Sequence, residues 1–201
     1  MPTVRKRRKD HRPAEITRAA IEAFADKGYI GTKVTDVAHR ANVSKGTVYH
    51  YFGDKNALFR AAFHTCFVDS LQPVTLPPID GSANMTSLLE YLLREAFLGL
   101  QGSEASSLLK VILIEGDRFP DLVLQCQSDL LNKIEAPLMQ LIDAGILSGE
   151  FGPGAYRDMP SIMLLPGVML SLLGHFFSDD RDIDVFDAFL DLIINGLLKR
   201  P

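Results

Sequence analysis

Two cysteines occur in 201 residues, and tryptophan is absent. Cys66 and Cys126 stand far apart and form no C-x-x-C pair, which argues against a disulfide scaffold or a zinc site and fits a reducing compartment. Buried packing is the expected role for both, with oxidant sensing as the alternative. His64 and Cys66 are two apart, so on a helix they face different ways and make poor joint metal ligands. Neither H-E-x-x-H nor G-x-S-x-G is present, so the signatures of the zincins and of the hydrolase nucleophile elbow are missing. The glycine-dense stretch Gly149-Glu150-Phe151-Gly152-Pro153-Gly154 follows no strand and carries no P-loop lysine, which leaves a loop. Strand-like alternation and internal repeats are also lacking. No cofactor, metal or catalytic activity is therefore expected. The basic N-terminus has no apolar run behind it and does not read as a secretory signal.

Charged residues are missing from Met159 to Phe177, a length near that of a membrane-spanning helix. Pro160, Pro166, Gly167 and Gly174 interrupt the run, and no one-sided basic flank accompanies it, so a buried helix is expected and no membrane partner. Acidic residues are scarce only at the start. Residues 1–60 carry a net charge of +7 and residues 61–201 a net of −11. A basic end joined to an acidic remainder suggests two tasks, one of them with a polyanion.

The apolar spacing is helical nearly throughout. Ile16, Ala19, Ala20, Ala23 and Phe24 line one face of a first helix, with Pro13 in its first turn and Gly28 at its stop. Val34, Val37, Ala38 and Ala41 repeat the pattern in a short second helix with Thr32 as N-cap. Asn42 suits the left-handed residue of a tight turn, and Ser44 caps a third helix, Lys45 to about Tyr51. Asp54 opens a fourth, with Leu58, Ala61, Ala62 and Phe67 inward. Two short helices about a three- to four-residue turn are a helix-turn-helix. Val37, Ala38, Val43 and Val48 would lock the pair, leaving Lys45, Thr47, Tyr49 and His50 outward, toward a DNA major groove. Gly46 lets backbone approach closely. Thr47 suits a base edge, while Ser44, Tyr49 and His50 suit phosphates. Lys55 would meet a phosphate at a helix N-terminus, and Lys33 and Thr35 complete the candidate DNA-binding set. Tyr51 and Phe52 read as core.

Arg5, Lys6, Arg7, Arg8, Lys9 and Arg12 form a basic arm, normally disordered when free, that would follow phosphates or enter the minor groove. The expected division is a basic arm at 1–12, the helix-turn-helix domain with its connecting helix at 13–72, a proline-rich linker at 73–83 and a larger helical domain at 84–201. Helices are expected near 84–101, 104–118, 120–145, 155–178 and 182–199, with Pro137 and Pro166 kinking or splitting theirs. Specific duplex binding favours a homodimer on an inverted repeat. Leu170, Leu173, Phe177, Phe186, Phe189, Ile193 and Leu197 on the last two helices are the candidate interface.

The string Thr32-x-Val34-x-x-Val37-Ala38-x-x-Ala41-x-Val43-Ser44-Lys45-Gly46-Thr47-Val48-Tyr49-x-Tyr51-Phe52-x-x-Lys55 resembles the DNA-binding domain of TetR-type transcriptional regulators, over about residues 13–60. Asn42 departs from the glycine usual in that family, and Gly53-Asp54 from its usual polar pair. The resemblance implies an all-α fold: an N-terminal three-helix helix-turn-helix domain, then a larger helical effector-binding and dimerisation domain. It also implies a cytoplasmic repressor released from its operator by a small molecule, with the last two helices forming a four-helix bundle across a dimer. Met85, Leu88, Leu92, Glu115, Arg118, Met139, Met163 and His175 are candidates for the implied pocket. A DNA-binding dimer without an effector is the second reading, and a helical enzyme or acyl-binding module the third.

Overall fold

The computed structural model describes residues 4–69, 84–100, 104–177 and 185–197, with side chains from residue 11 onward except at 171, 173–177 and 197. The linker at 73–83 and the side chains of residues 1–10 of the basic arm and of Leu173, His175, Phe177 and Leu197 lie outside the described residues. What is described is all-α, with no strand. It packs as two compact units, residues 1–71 with 104–130, and residues 72–103 with 131–201. These packing units cut the chain differently from the functional division expected above.

In the first unit α1 (Val4–Gly31) buries Ile16, Ala20, Ala23 and Phe24 completely. Charge density predicts an arm without regular structure, but its backbone is continuous with α1 from Val4. Straight-chain Arg and Lys are good helix formers, and that propensity outweighs their mutual repulsion here. Regular helix breaks at Gly28, whose φ of 72° and ψ of 179° suit glycine alone. Thr32 is not the cap of α2 (Val34–Arg40). Its hydroxyl turns back into the core, 2.9 Å from the Ala23 carbonyl and 2.7 Å from that of Gly28. Lys33 takes the N-cap position, and its N–H is accepted by Asp36 Oδ2 at 3.1 Å.

The end of α2 is a Schellman closure. Asn42 has φ 52°, the N–H of Val43 reaches the Ala38 carbonyl at 2.9 Å, and that of Asn42 reaches His39 at 3.1 Å. Asparagine thus does the turn's work in place of glycine. In α3 (Lys45–Phe52) Ser44 Oγ accepts from the Thr47 N–H at 3.0 Å, and in α4 (Lys55–Phe63) Asp54 Oδ1 accepts from Ala57 at 2.8 Å. A π-type turn, His64–Val68, prolongs α4. Val37, Val48, Leu58 and Phe59 close the core beneath them. Tyr51 and Phe52, expected in that core, are half-buried.

Helix α6 (Glu104–Glu115) packs on α1, and α7 (Pro120–Ser148) begins in the same unit. In the second unit the rest of α7 joins α5 (Met85–Leu100), α8 (Leu165–Phe177) and α9 (Val185–Leu197) around Leu89, Leu141, Ile142 and Phe151. The start of α5 is held from a distance. Glu150 accepts from the N–H groups of Met85 and Thr86 at 3.1 and 3.0 Å and from the Thr86 hydroxyl at 3.0 Å. Pro137 lies within α7, which runs past it as one helix, whereas Pro166 falls in the first turn of α8 after a 3₁₀ stretch, Pro160–Leu164. The uncharged run 159–177 is therefore broken. Among the described residues no single helix is long and apolar enough to cross a membrane.

Candidate nucleic-acid interface

The cap at Ser44 and the buried Val48 fix how α3 is turned, because a helix with one face in the core must show the other to solvent. Lys33, Thr35, Ser44, Lys45, Gly46, Tyr49 and His50 are all exposed, and Thr47 and Lys55 are half-buried. Lys45 Nζ lies 5.5 Å from the centre of the Tyr49 ring, one turn on. The Thr47 hydroxyl shares a 2.8 Å hydrogen bond with Ser44 Oγ, so both are oriented before any partner arrives. A Cβ at Gly46 would meet nothing nearer than Ser44 Oγ at 3.7 Å. The fold itself leaves that spot open to a close approach from outside.

Lys55 is placed differently from the other cations. Its ammonium lies 4.4 Å above the Tyr29 ring, and burial pushes its pKa below the ordinary lysine value, with Glu115 partly offsetting the effect. Tyr29 stacks with Phe24 at 5.9 Å and packs on Phe59 and Phe119 at 5.4 and 4.2 Å. Its hydroxyl donates to Asn56 Oδ1. Burial, then the nearby Asp54, raises the pKa of that hydroxyl. At the start of α2 the N–H of Lys33 holds Asp36 below the usual carboxylate range, helped by Lys27 at 3.2 Å.

An open depression of about 610 Å³ is lined by Arg12, Glu15, Arg18, Arg40, Ala41 and Asn42. Its cations are already matched: Arg12 with Glu15 at 2.8 Å, Arg18 with Glu104 at 2.7 Å, Arg40 with Asp26 at 2.7 Å. On α4, Arg60 forks onto both oxygens of Asp129 at 2.7 and 2.8 Å. Sequence spacing gave no sign of the Arg18–Glu104 and Arg60–Asp129 pairs, whose partners are remote in the chain.

The pocket candidates whose side chains are described are divided between the two packing units. Met85 and Met163 are buried in the core of the second unit, with Leu88 and Leu92 packed against it, while Met139 is exposed. Glu115 and Arg118 belong to the first unit, where Glu115 accepts the Ile30 N–H at 2.6 Å and Arg118 is exposed. Of the interface candidates, Phe186 is turned inward and stacks on Phe97 at 3.9 Å, and Leu170, Phe189 and Ile193 pack against the same core. The apolar residues left outward were not singled out by periodicity. Among the described residues they include Met159, Ile162, Leu165 and Met169 on and before α8, and Val185 and Leu192 on α9. Both thiols are raised by burial, Cys66 to about 11 and Cys126 to about 12.

Residues 16–62 match the model of bacterial regulatory proteins, tetR family. The HTH-type transcriptional regulator YvdT of Bacillus subtilis is 31% identical over 84 residues, 42% of this chain and 43% of YvdT. The HTH-type transcriptional regulator Rv1556 of Mycobacterium tuberculosis is 27% identical over 161 residues, 79% of this chain and 74% of that protein. The chain thus spans under half of the first relative and about three quarters of the second. Among solved structures, the fatty acid degradation regulator FadR from Bacillus halodurans superposes with a TM-score of 0.70 at 20% identity, over 92% of this chain and 98% of FadR. That likeness extends the shared fold beyond the matched segment.

Proposed function

We propose that this chain, whose residues 16–62 match the model of bacterial regulatory proteins, tetR family, is a homodimeric repressor of that family that reads an inverted repeat and is released by a small molecule. The observation that carries the DNA reading is α3. It is capped by Ser44, anchored by Val48 and set by the Asn42 turn, and it leaves Lys45, Tyr49 and His50 free to enter a major groove. Lys33, Thr35 and Lys55 flank it as phosphate contacts, and Thr47 is the residue best set for a base edge. The basic arm, with its backbone helical from Val4, adds positive charge at the same end of the chain. Such a protein works where chromosomal DNA is, in the cytoplasm.

Dimerisation is supported by the outward stripe Ile162, Leu165 and Met169, at helical spacing and 48, 55 and 41% exposed, together with Leu192. Two heads about 34–36 Å apart would meet successive turns of one duplex face. An effector would act by favouring a different head spacing, and its preference between the two states bounds the switching. A second reading, a DNA-binding dimer without an effector, is favoured by the packing of Met85 and Met163 into the core.

Selection of bound sequences from random duplex DNA at about 150 mM salt tests the proposal. An enriched inverted repeat supports it. Binding without any enriched sequence refutes it. With the site in hand, Thr47→Ala should relax preference at one position at a cost of about 1–3 kcal/mol, and Lys33→Ala should weaken all sequences alike and lower the salt slope by about 1.

A further inference from the structure

The bend of α1 is closed by a group from far along the chain. Gly28 has no side chain, and a Cβ built there would overlap the carboxylate of Glu115, which occupies that space. Two residues past the break, Ile30 donates its N–H to Glu115 Oε2 at 2.6 Å. Glu115 is the last residue of α6, where the helix dipole disfavours a carboxylate, so its placement is not explained by α6 alone. Between Gly28 and Ile30 stands Tyr29, whose ring carries the Lys55 ammonium and whose hydroxyl holds Asn56, both in the first turn of α4. Immediately after Ile30 the chain enters α2 with Lys33 and Thr35 outward. One carboxylate therefore sits behind two groups of residues that face the duplex.

We propose that Glu115 is a positioning residue for DNA binding: by filling the gap at Gly28 and holding Ile30, it sets Lys55 and the first turn of α2 against the phosphates. The proposal rests on the DNA-reading function above. Glu115 does not touch DNA. It fixes the hook from which both phosphate-binding groups are hung, so its loss should change how many phosphates are engaged, beyond any change in how much protein is folded.

The test uses the full chain and the duplex that the wild type itself enriches, with Kd measured across a series of salt concentrations. Glu115→Ala should bind about tenfold more weakly, the scale of one charge-assisted hydrogen bond. Its salt dependence should be shallower by about 0.9 for each phosphate no longer engaged. Glu115→Gln keeps an acceptor for Ile30 and should stay within about threefold of wild type with the slope retained. Glu104→Ala removes a comparable tie of α6, to Arg18, away from the hook, and should leave the slope unchanged. Should Glu115→Ala fail to fold, Glu115→Asp, charged but one methylene short, should show the same shallower slope. Wild-type affinity and slope in Glu115→Ala or Glu115→Asp would overturn the proposal, as would an equal flattening in Glu104→Ala. A wild type that enriches no duplex defeats the DNA reading itself, which is a distinguishable failure.

Discussion

Thr32→Val removes one hydroxyl from the interior of the DNA-reading unit at nearly constant volume. Thr32 is 1% exposed, and its Oγ1 lies within hydrogen-bonding distance of two carbonyls, those of Ala23 and Gly28. A hydroxyl has one proton, so it serves one carbonyl at a time or divides itself between them. Valine fills the same space with a methyl group and leaves no cavity. What is lost is the donor beside the Gly28 bend, and a buried acceptor left unmade costs about 1–3 kcal/mol. Thr32→Ser keeps the donor and loses a methyl group, at about 1 kcal/mol. Urea unfolding of the full chain at a fixed protein concentration reads both, since a dimer's midpoint depends on concentration. With a slope of about 2 kcal/mol/M, valine should lower the midpoint by about 0.5–1.5 M at unchanged slope. A valine variant within about 0.2 M of wild type would refute the reasoning, because the bend would then close without the hydroxyl.

Three further outcomes follow from the same geometry. With thiols pushed to about 11 at Cys66 and about 12 at Cys126, both should label slowly near pH 8 and quickly once unfolded; a cysteine that reacts like a free thiol in the native protein would contradict their burial. Burial pushes the Glu150 carboxyl up, but the N–H groups of Thr86 and Met85 and the hydroxyls of Thr86 and Ser148 outweigh it and hold the pKa below the ordinary value. Its stabilisation is then complete above the unfolded glutamate value of about 4.3 and is lost as pH falls through the lower folded value; the stability gap to Glu150→Gln should shrink on that acid limb, and a gap that stays constant or widens there would contradict the lowered value. Leu165→Arg places a charge in the outward stripe of α8 and should shift sedimentation toward monomer while leaving helix content unchanged; an unaltered dimer would move the interface elsewhere.

The helix-turn-helix was legible because its signals are local. Asn42, Ser44 and the spacing of Val37, Ala38 and Val48 each state a backbone requirement within a few residues, and all agree. Thr32 was misread for the same reason. A threonine just ahead of a helix satisfies the local rule for a cap, but the break at Gly28 offers its hydroxyl a buried partner that the rule does not see. Glu115 stood among the candidates for the implied pocket, yet its partner is the backbone of Ile30, 85 positions away, and no periodicity encodes that pairing. On the last two helices every apolar residue reads alike. Which of them close the protomer's own core, as Phe186 does on Phe97, and which remain outward, as Leu165 and Leu192 do, is settled only by packing.

The unit that reads DNA is assembled from two separate stretches, residues 1–71 and 104–130. Arg18 has its partner in Glu104, Tyr29 in Phe119, and Arg60 in Asp129. A cassette exchange at a single crossover near residue 71 would carry the reading helices away from those three partners. A DNA-reading surface carried by this unit would therefore not transfer as a freestanding module. Recombination between relatives can trade it only where the recipient's α6 and the start of its α7 already suit the incoming helices, which couples the evolution of the recognition surface to positions far down the chain.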